Sequence, residues 1–234
     1  MSNYTTYDNF NPEHDRTLYL TGEICDTTCD EIIQKIHLIN EFDFELTEEH
    51  FGVLQQNLEY IQGDIVGLVP PYKKEIKLVI NSGGGSFSSG MALINAIQNS
   101  ETPIISEVIG MAKSMALAIA MSADYRVAYK NSQFMYHAAS YEMWGDLISH
   151  EREVDYTKRL QEQYDEYITE SSYIEQDDLE KFKKARMNWE MFGLEALELG
   201  IVDELFDYDP EEAEFDCECE LCNCECEGCE EDGE

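Results

Sequence analysis

Positive charge is scarce in this 234-residue chain: 15 Lys and Arg stand against 50 Asp and Glu, a formal net charge of −35. That balance speaks against a nucleic-acid partner, because the phosphate backbone demands a basic footprint. It disfavours an anionic membrane surface for the same reason. Long apolar runs are also missing. The longest candidate, Met115 to Ala123, falls far short of the roughly 18 residues a membrane span requires. The opening "MSNYTTYDNFNPEHDR" has neither a basic start nor an apolar stretch, so no secretory signal is read and a soluble, cytoplasmic protein is expected. Cysteine is absent from Asp30 to Asp216: Cys25 and Cys29 lie near the start and the other six crowd between Cys217 and Cys229. No disulfide framework can therefore staple the body. What is present is 43% hydrophobic content, enough for one sizeable domain with a real core.

Along the chain, residues 1–16 are polar and are expected to be mobile. "RTLYLTGEI" reads as a strand closed by a glycine turn, and Ile32, Ile33, Ile36 and Ile39 then recur at helical spacing. A second helical stretch is expected within residues 41–72, with Thr47 as its N-cap before Glu48 and Glu49. After it come "EIKLVIN" as a strand, "GGGSFSSG" as a loop and "MALINAIQNS" as a helix. "PIISEVIG" and "SMALAIAMSA" repeat the alternation, "YRVAY" and "QFMYH" are short strands, and a long charged helix runs from about Trp144 to Ser171. Strands alternating with single helices predict an α/β fold with a largely parallel sheet.

Three short stretches place reactive groups at element ends. "INSGGGS" closes a strand and opens a helix, and its glycines let the backbone approach a ligand with N–H groups exposed to an anion. It has neither the Gly-Lys-Ser/Thr of a P-loop nor the spacing of a dinucleotide site. In "GMAKSMALA", Ser114 follows a strand and precedes an apolar helix. A hydroxyl there is either an N-cap or a nucleophile whose oxyanion would form beside the unsatisfied N–H of Met115. In "FMYHAAS", His137 ends a strand, where an imidazole can project into a cleft. His14, His37, His50 and His150 have no strand to place them.

Taken in order, these stretches resemble the proteolytic subunit of the Clp protease. The family pattern is strand-Asn-Ser-Pro-Gly-Gly, then Gly-x-x-x-Ser-Met-(Gly/Ala), then Asn-Ser-x-x-Met-x-His. The corresponding positions are Asn81-Ser82-Gly83-Gly84-Gly85, then Gly110 with Ser114-Met115-Ala116, then Asn131-Ser132 with Met135 and His137. "LEALELGIVDEL" is similar to the family's closing helix-turn-strand. The likeness covers residues 17–205. It implies a crotonase-like, ClpP-type right-handed ββα spiral whose long helix is the handle between rings. It also implies a serine endopeptidase with Ser114 as nucleophile, His137 as base, and the backbone N–H groups of Gly85 and Met115 as oxyanion hole. Heptameric rings paired into a tetradecamer, protein substrates and a partner AAA+ unfoldase that consumes ATP follow from the same resemblance, which leaves open whether a second subunit type joins the rings. No cofactor is expected in this chain.

The sequence departs from the pattern at one consequential place. Counting back without gaps from Glu195-Ala196 puts Asn188 where the family has an aspartate. An amide can orient an imidazole but cannot balance its positive charge. The alternatives are therefore an active peptidase and a weak or inactive ring subunit kept for assembly, with an acyl-CoA hydratase or isomerase of the same fold as a further one. A gap of a few residues would instead offer Asp177, Asp178, Glu180 or Glu190 as the acid. Lys113, next to Ser114, diverges from it too far to be its base and is expected to be solvated. Ala138-Ala139 replaces the usual Gln-Pro after the histidine, and residues 41–72 exceed the family's corresponding segment as an apparent insertion.

From Asp203 to Glu234 there are sixteen acidic residues and no basic one. Within the 206–234 tail, Cys219/Cys222 and Cys226/Cys229 form two C-x-x-C pairs only three residues apart, against about 15 in a zinc ribbon. Those four thiols are weak metal candidates. A disordered, reduced, acidic tail is the expectation, ahead of a small zinc–thiolate cluster.

Overall fold

The computed structural model describes residues 10–58 and 73–208. The first part of the N-terminal segment, the second part of the 41–72 insertion and the cysteine-rich tail with Cys219, Cys222, Cys226 and Cys229 lie outside the described residues.

Five parallel strands run side by side in the order β1 (Thr17–Ile24), β2 (Ile76–Gly85), β3 (Ile104–Lys113), β4 (Tyr125–Ala128) and β7 (Glu204–Leu205). Between them lie α1 (Asp26–Leu58), α2 (Phe87–Gln98) and α3 (Met115–Met121). On the side away from β2, β3 serves two neighbours: Ile105–Val108 pair with β4, whereas Met111–Lys113 pair with β5 (Gln133–Tyr136). Its C-terminal end thus turns away from the main sheet and carries β5 with it. β6 (Trp189–Phe192) joins antiparallel to β5. This is the one antiparallel ladder among the described residues, and the alternation of strands and helices did not predict it.

The core sits where α3 packs on β2 and β3. All seven residues of α3 are buried, which is why this helix is apolar all round rather than amphipathic. Leu78, Ile80, Leu93, Ile94, Ile104 and Val108 close around it, each contributing about 1.5–3 kcal/mol by burial. Cys29 belongs to the same core, and burial pushes its thiol up to about 11; it packs as a small apolar side chain.

The two helical patterns expected before β2 are one continuous helix, α1. No Gly or Pro interrupts Asp26–Phe51, so nothing stops the first pattern. Thr47 is not an N-cap: its hydroxyl donates to the carbonyl of Asp43 at 2.7 Å, inside the helix. Asp43 explains why α1 lies as it does. It is 3% exposed and takes a forked pair of hydrogen bonds from the buried Arg16 guanidinium, plus one from Thr102 Oγ1 at 2.6 Å. Burial alone would raise the Asp43 carboxyl, but Arg16 and Thr102 outweigh it and hold it below the ordinary aspartate value.

This pair gives the first prediction. Asp43→Ala strands the Arg16 charge, and breaking a buried pair from one side costs about 3–5 kcal/mol. Chemical denaturation should show a loss of that size. The Asp43 contribution is fully present above the unfolded aspartate value and is lost as pH falls through the depressed folded value. The variant's stability should therefore lose part of the acid-limb dependence of the wild type.

α4 (Leu147–Glu170) is capped by Asp146, whose carboxylate accepts from Ser149 N at 3.0 Å. Only Tyr164, Asp165 and Ile168, in its last turns, are buried. Leu147 and Ile148 at its start are exposed, as is Trp144 just before it, at 98%. α5 (Gln176–Ala185) and α6 (Gly193–Glu198) complete the fold.

Candidate active site

Ser114 sits at the hinge between β3 and α3, with φ 54° and ψ −128°. A serine at positive φ is uncommon, costs about 1–3 kcal/mol and persists only where its surroundings enforce it. They do here. Ser114 N donates to Met135 O at 2.8 Å, and Ser114 O accepts from Leu117 N at 2.9 Å and from Tyr164 Oη at 2.8 Å. The Ser114 side chain makes no cap hydrogen bond, so the N-cap alternative fails.

The register then brings in the imidazole. Lys113 lies beside Met135 in the parallel β3–β5 pair, so the residue after β3 and the one after β5 emerge together at the sheet's end. His137 Nε2 and Ser114 Oγ are 2.8 Å apart. Both line a cavity of about 320 Å³ together with Gly85 and Met115. Met115 opens α3, so its N–H has no carbonyl a turn earlier to bond.

The glycine run passes directly beside the hydroxyl. At Gly84 (φ 102°) a Cβ would lie 2.7 Å from Ser114 Cβ and 2.8 Å from Lys113 O. At Gly85 (φ 151°) it would lie 2.3 Å from Ile24 O. Both positions therefore exclude a side chain by space and by backbone conformation. Ser82 pins this loop: its hydroxyl donates to Gly22 O at 2.6 Å and accepts from Gly84 N at 3.2 Å.

Asn188 immediately precedes β6. Tyr136 lies opposite Trp189, so one further step along the ladder sets Asn188 opposite His137, on the same side of the pair. The Asn188 side chain is exposed, and among the described residues no hydrogen bond joins it to the imidazole. The carboxylates a gap would have recruited are engaged elsewhere or remain apart: Asp178 binds Lys181, Glu180 binds Lys183, Glu190 binds Lys113, and Asp177 lies on the first turn of α5. Lys113 is thus not simply solvated; its side chain is 20% exposed and its ammonium is 3.2 Å from Glu190.

Behind His137 lies a polar network that the sequence reading missed. Asp165, 2% exposed, accepts from Tyr136 Oη and Lys183 Nζ at 2.5 Å each and from Gln161 Nε2 at 2.6 Å. Gln161 Oε1 in turn accepts from Ala139 N at 2.5 Å. Tyr136 stacks on Tyr164 with centroids 5.7 Å apart, and Tyr164 holds Ser114 O. One face of α4 therefore fixes the backbone on both sides of the pair. Burial works against the Lys183 charge, but Asp165 and Glu180 outweigh it and raise its pKa. Burial, then the Asp165 carboxylate, raises the Tyr136 phenol, which stays a donor. The only sequence signal was the spacing of Gln161, Tyr164 and Asp165 on one helical face, and in so polar a helix it does not stand out.

No cluster of three His, Cys, Asp or Glu that could hold a metal exists among the described residues. Among the described residues Glu153 is the one carboxylate lining the cavity, so a carboxylate acid/base pair of the hydratase type has no second member among them there.

Among solved structures, an asparagine-to-aspartate mutant of ClpP1 from Listeria monocytogenes is similar to this chain. The TM-score is 0.63 at 18% identity, covering 83% of this chain and 92% of that one. At that identity the likeness shows the fold, an α/β arrangement of parallel sheet and helices. The sequence pattern of the Clp protease family matches residues 58–209, from the end of α1 past β7. With more than half of its length matched, this chain belongs to the Clp protease family of ClpP-like serine peptidases.

Proposed function

We propose that this chain is a proteolytic subunit that hydrolyses unfolded polypeptides, with Ser114 as nucleophile, His137 as general base and Asn188 as the third member. The observation that carries this reading is the 2.8 Å approach of His137 Nε2 to Ser114 Oγ in a cavity. Ser114 Oγ attacks the scissile carbonyl while Nε2 takes its proton. The resulting oxyanion is stabilised by the N–H groups of Gly85 and Met115. The imidazolium then protonates the leaving amine, the C–N bond breaks, and water repeats the sequence on the acyl-enzyme. Asn188 would accept from the ring's Nδ1–H without neutralising the imidazolium.

The crotonase-like spiral, the paired heptameric rings and an ATP-consuming AAA+ unfoldase belong to this reading through the family. The exposed Trp144, Leu147 and Ile148 at the start of α4 support a covering copy there, because side chains this apolar are rarely left in a contiguous exposed patch. Asn188 also favours a second reading, a ring subunit of low activity retained for assembly. The test is initial-rate hydrolysis of small fluorogenic peptides by the purified, assembled protein. The proposal predicts turnover that is lost on phosphonylation of Ser114. Absence of turnover at any enzyme concentration would leave the assembly reading.

A further inference from the structure

The cavity that holds Ser114 and His137 extends along one face of α4 through Glu153, Thr157, Leu160 and Tyr164. Their spacing of three and four residues aligns them on one helical stripe. Tyr164 marks the reacting end, since its hydroxyl touches Ser114 O. Glu153 lines the same cavity nearer the helix N-terminus. Its carboxylate is only partly exposed and has no hydrogen bond or ion pair among the described residues. Among the described residues no Lys or Arg lines the cavity, and Phe87, Tyr141 and Leu160 supply apolar wall.

An anionic group in an apolar-walled cavity suits a side chain with an alkyl stem and a cationic head. A short side chain would leave the carboxylate unpaired, and an acidic one would meet Glu153 with like charge. We infer that Glu153 selects lysine or arginine immediately before the scissile bond. This inference rests on the peptidase reading of Ser114 and His137, and it assigns that site a substrate class. The chain's net charge of −35 attracts cationic peptides to any part of the surface, so only a change at Glu153 isolates the local effect.

The experiment uses the full chain and fluorogenic tripeptides that differ only in the last residue before the fluorophore: Arg, Leu or Glu. The Arg peptide should exceed the Leu peptide in kcat/KM by about tenfold or more, and Glu153→Gln should lower that ratio by about tenfold, the scale of one charge-assisted hydrogen bond. Glu153→Lys should move the preference towards the Glu peptide. Binding of the same sequences, fluorescein-labelled, to Ser114→Ala by anisotropy gives a readout independent of turnover. Hydrolysis without an Arg preference overturns the inference and leaves the peptidase standing. If nothing is hydrolysed, binding decides: Glu153-dependent tightening for the Arg peptide upholds the subsite alone, and equal binding of all three overturns it.

Discussion

Asn188→Asp is expected to raise the turnover of small peptides by about 10² to 10⁴. The upper figure is what the reverse exchange costs in a chymotrypsin-type triad, where the amide holds the wrong tautomer. The lower applies if Asn188 already accepts from Nδ1–H and lacks only the charge. The ladder supplies the geometric reason: His137 follows Tyr136, Asn188 precedes Trp189, and Tyr136 and Trp189 are partners. A carboxylate at 188 therefore sits opposite the imidazole without any backbone rearrangement. It can also draw the exposed side chain inward, because the imidazolium that forms in the transition state attracts it. The gain should appear in kcat rather than KM, since the new interaction is made only when the ring is charged. An unchanged kcat in a correctly assembled variant would mean that position 188 is not the acid position.

The second large effect depends on the first. Ser114→Ala should lower turnover by about 10² to 10⁴ in the native background, and by about 10⁶ in the Asn188→Asp background. Triad members act as a unit, and removing all three costs about 2 × 10⁶ in a related constellation. A chain that has already lost its carboxylate has used up most of that factor, so the same deletion must cost less. Rates of the four proteins, wild type, each single variant and the double variant, test this coupling. Equal costs of Ser114→Ala in both backgrounds would separate the asparagine from the serine.

Much of the site was readable because its parts are small residues at element ends. A strand that stops at a glycine run, a serine before an apolar helix and a histidine closing "QFMYH" each announce a boundary. The parallel register then does the rest, by setting Lys113 beside Met135. What escaped depends on contacts distant in sequence. Nothing local to Asp43 signals that Arg16 and Thr102 surround it. Lys113 looked solvated because its partner, Glu190, lies on β6, a four-residue strand too short to show a period. The Asp165 network was hidden in a helix most of whose other charged residues face solvent. The oblique position of Ser114, at positive φ, is likewise a product of Tyr164 and Met135 holding its backbone from both sides.

The most direct measurement is covalent labelling of the assembled, unmodified chain by a fluorophosphonate, followed by peptide mapping. An activated hydroxyl beside an imidazole and free backbone donors predicts one adduct, on Ser114, formed much more slowly in His137→Ala. A folded chain that takes up no label, or takes it up on a different side chain at a rate indifferent to His137, would contradict the account.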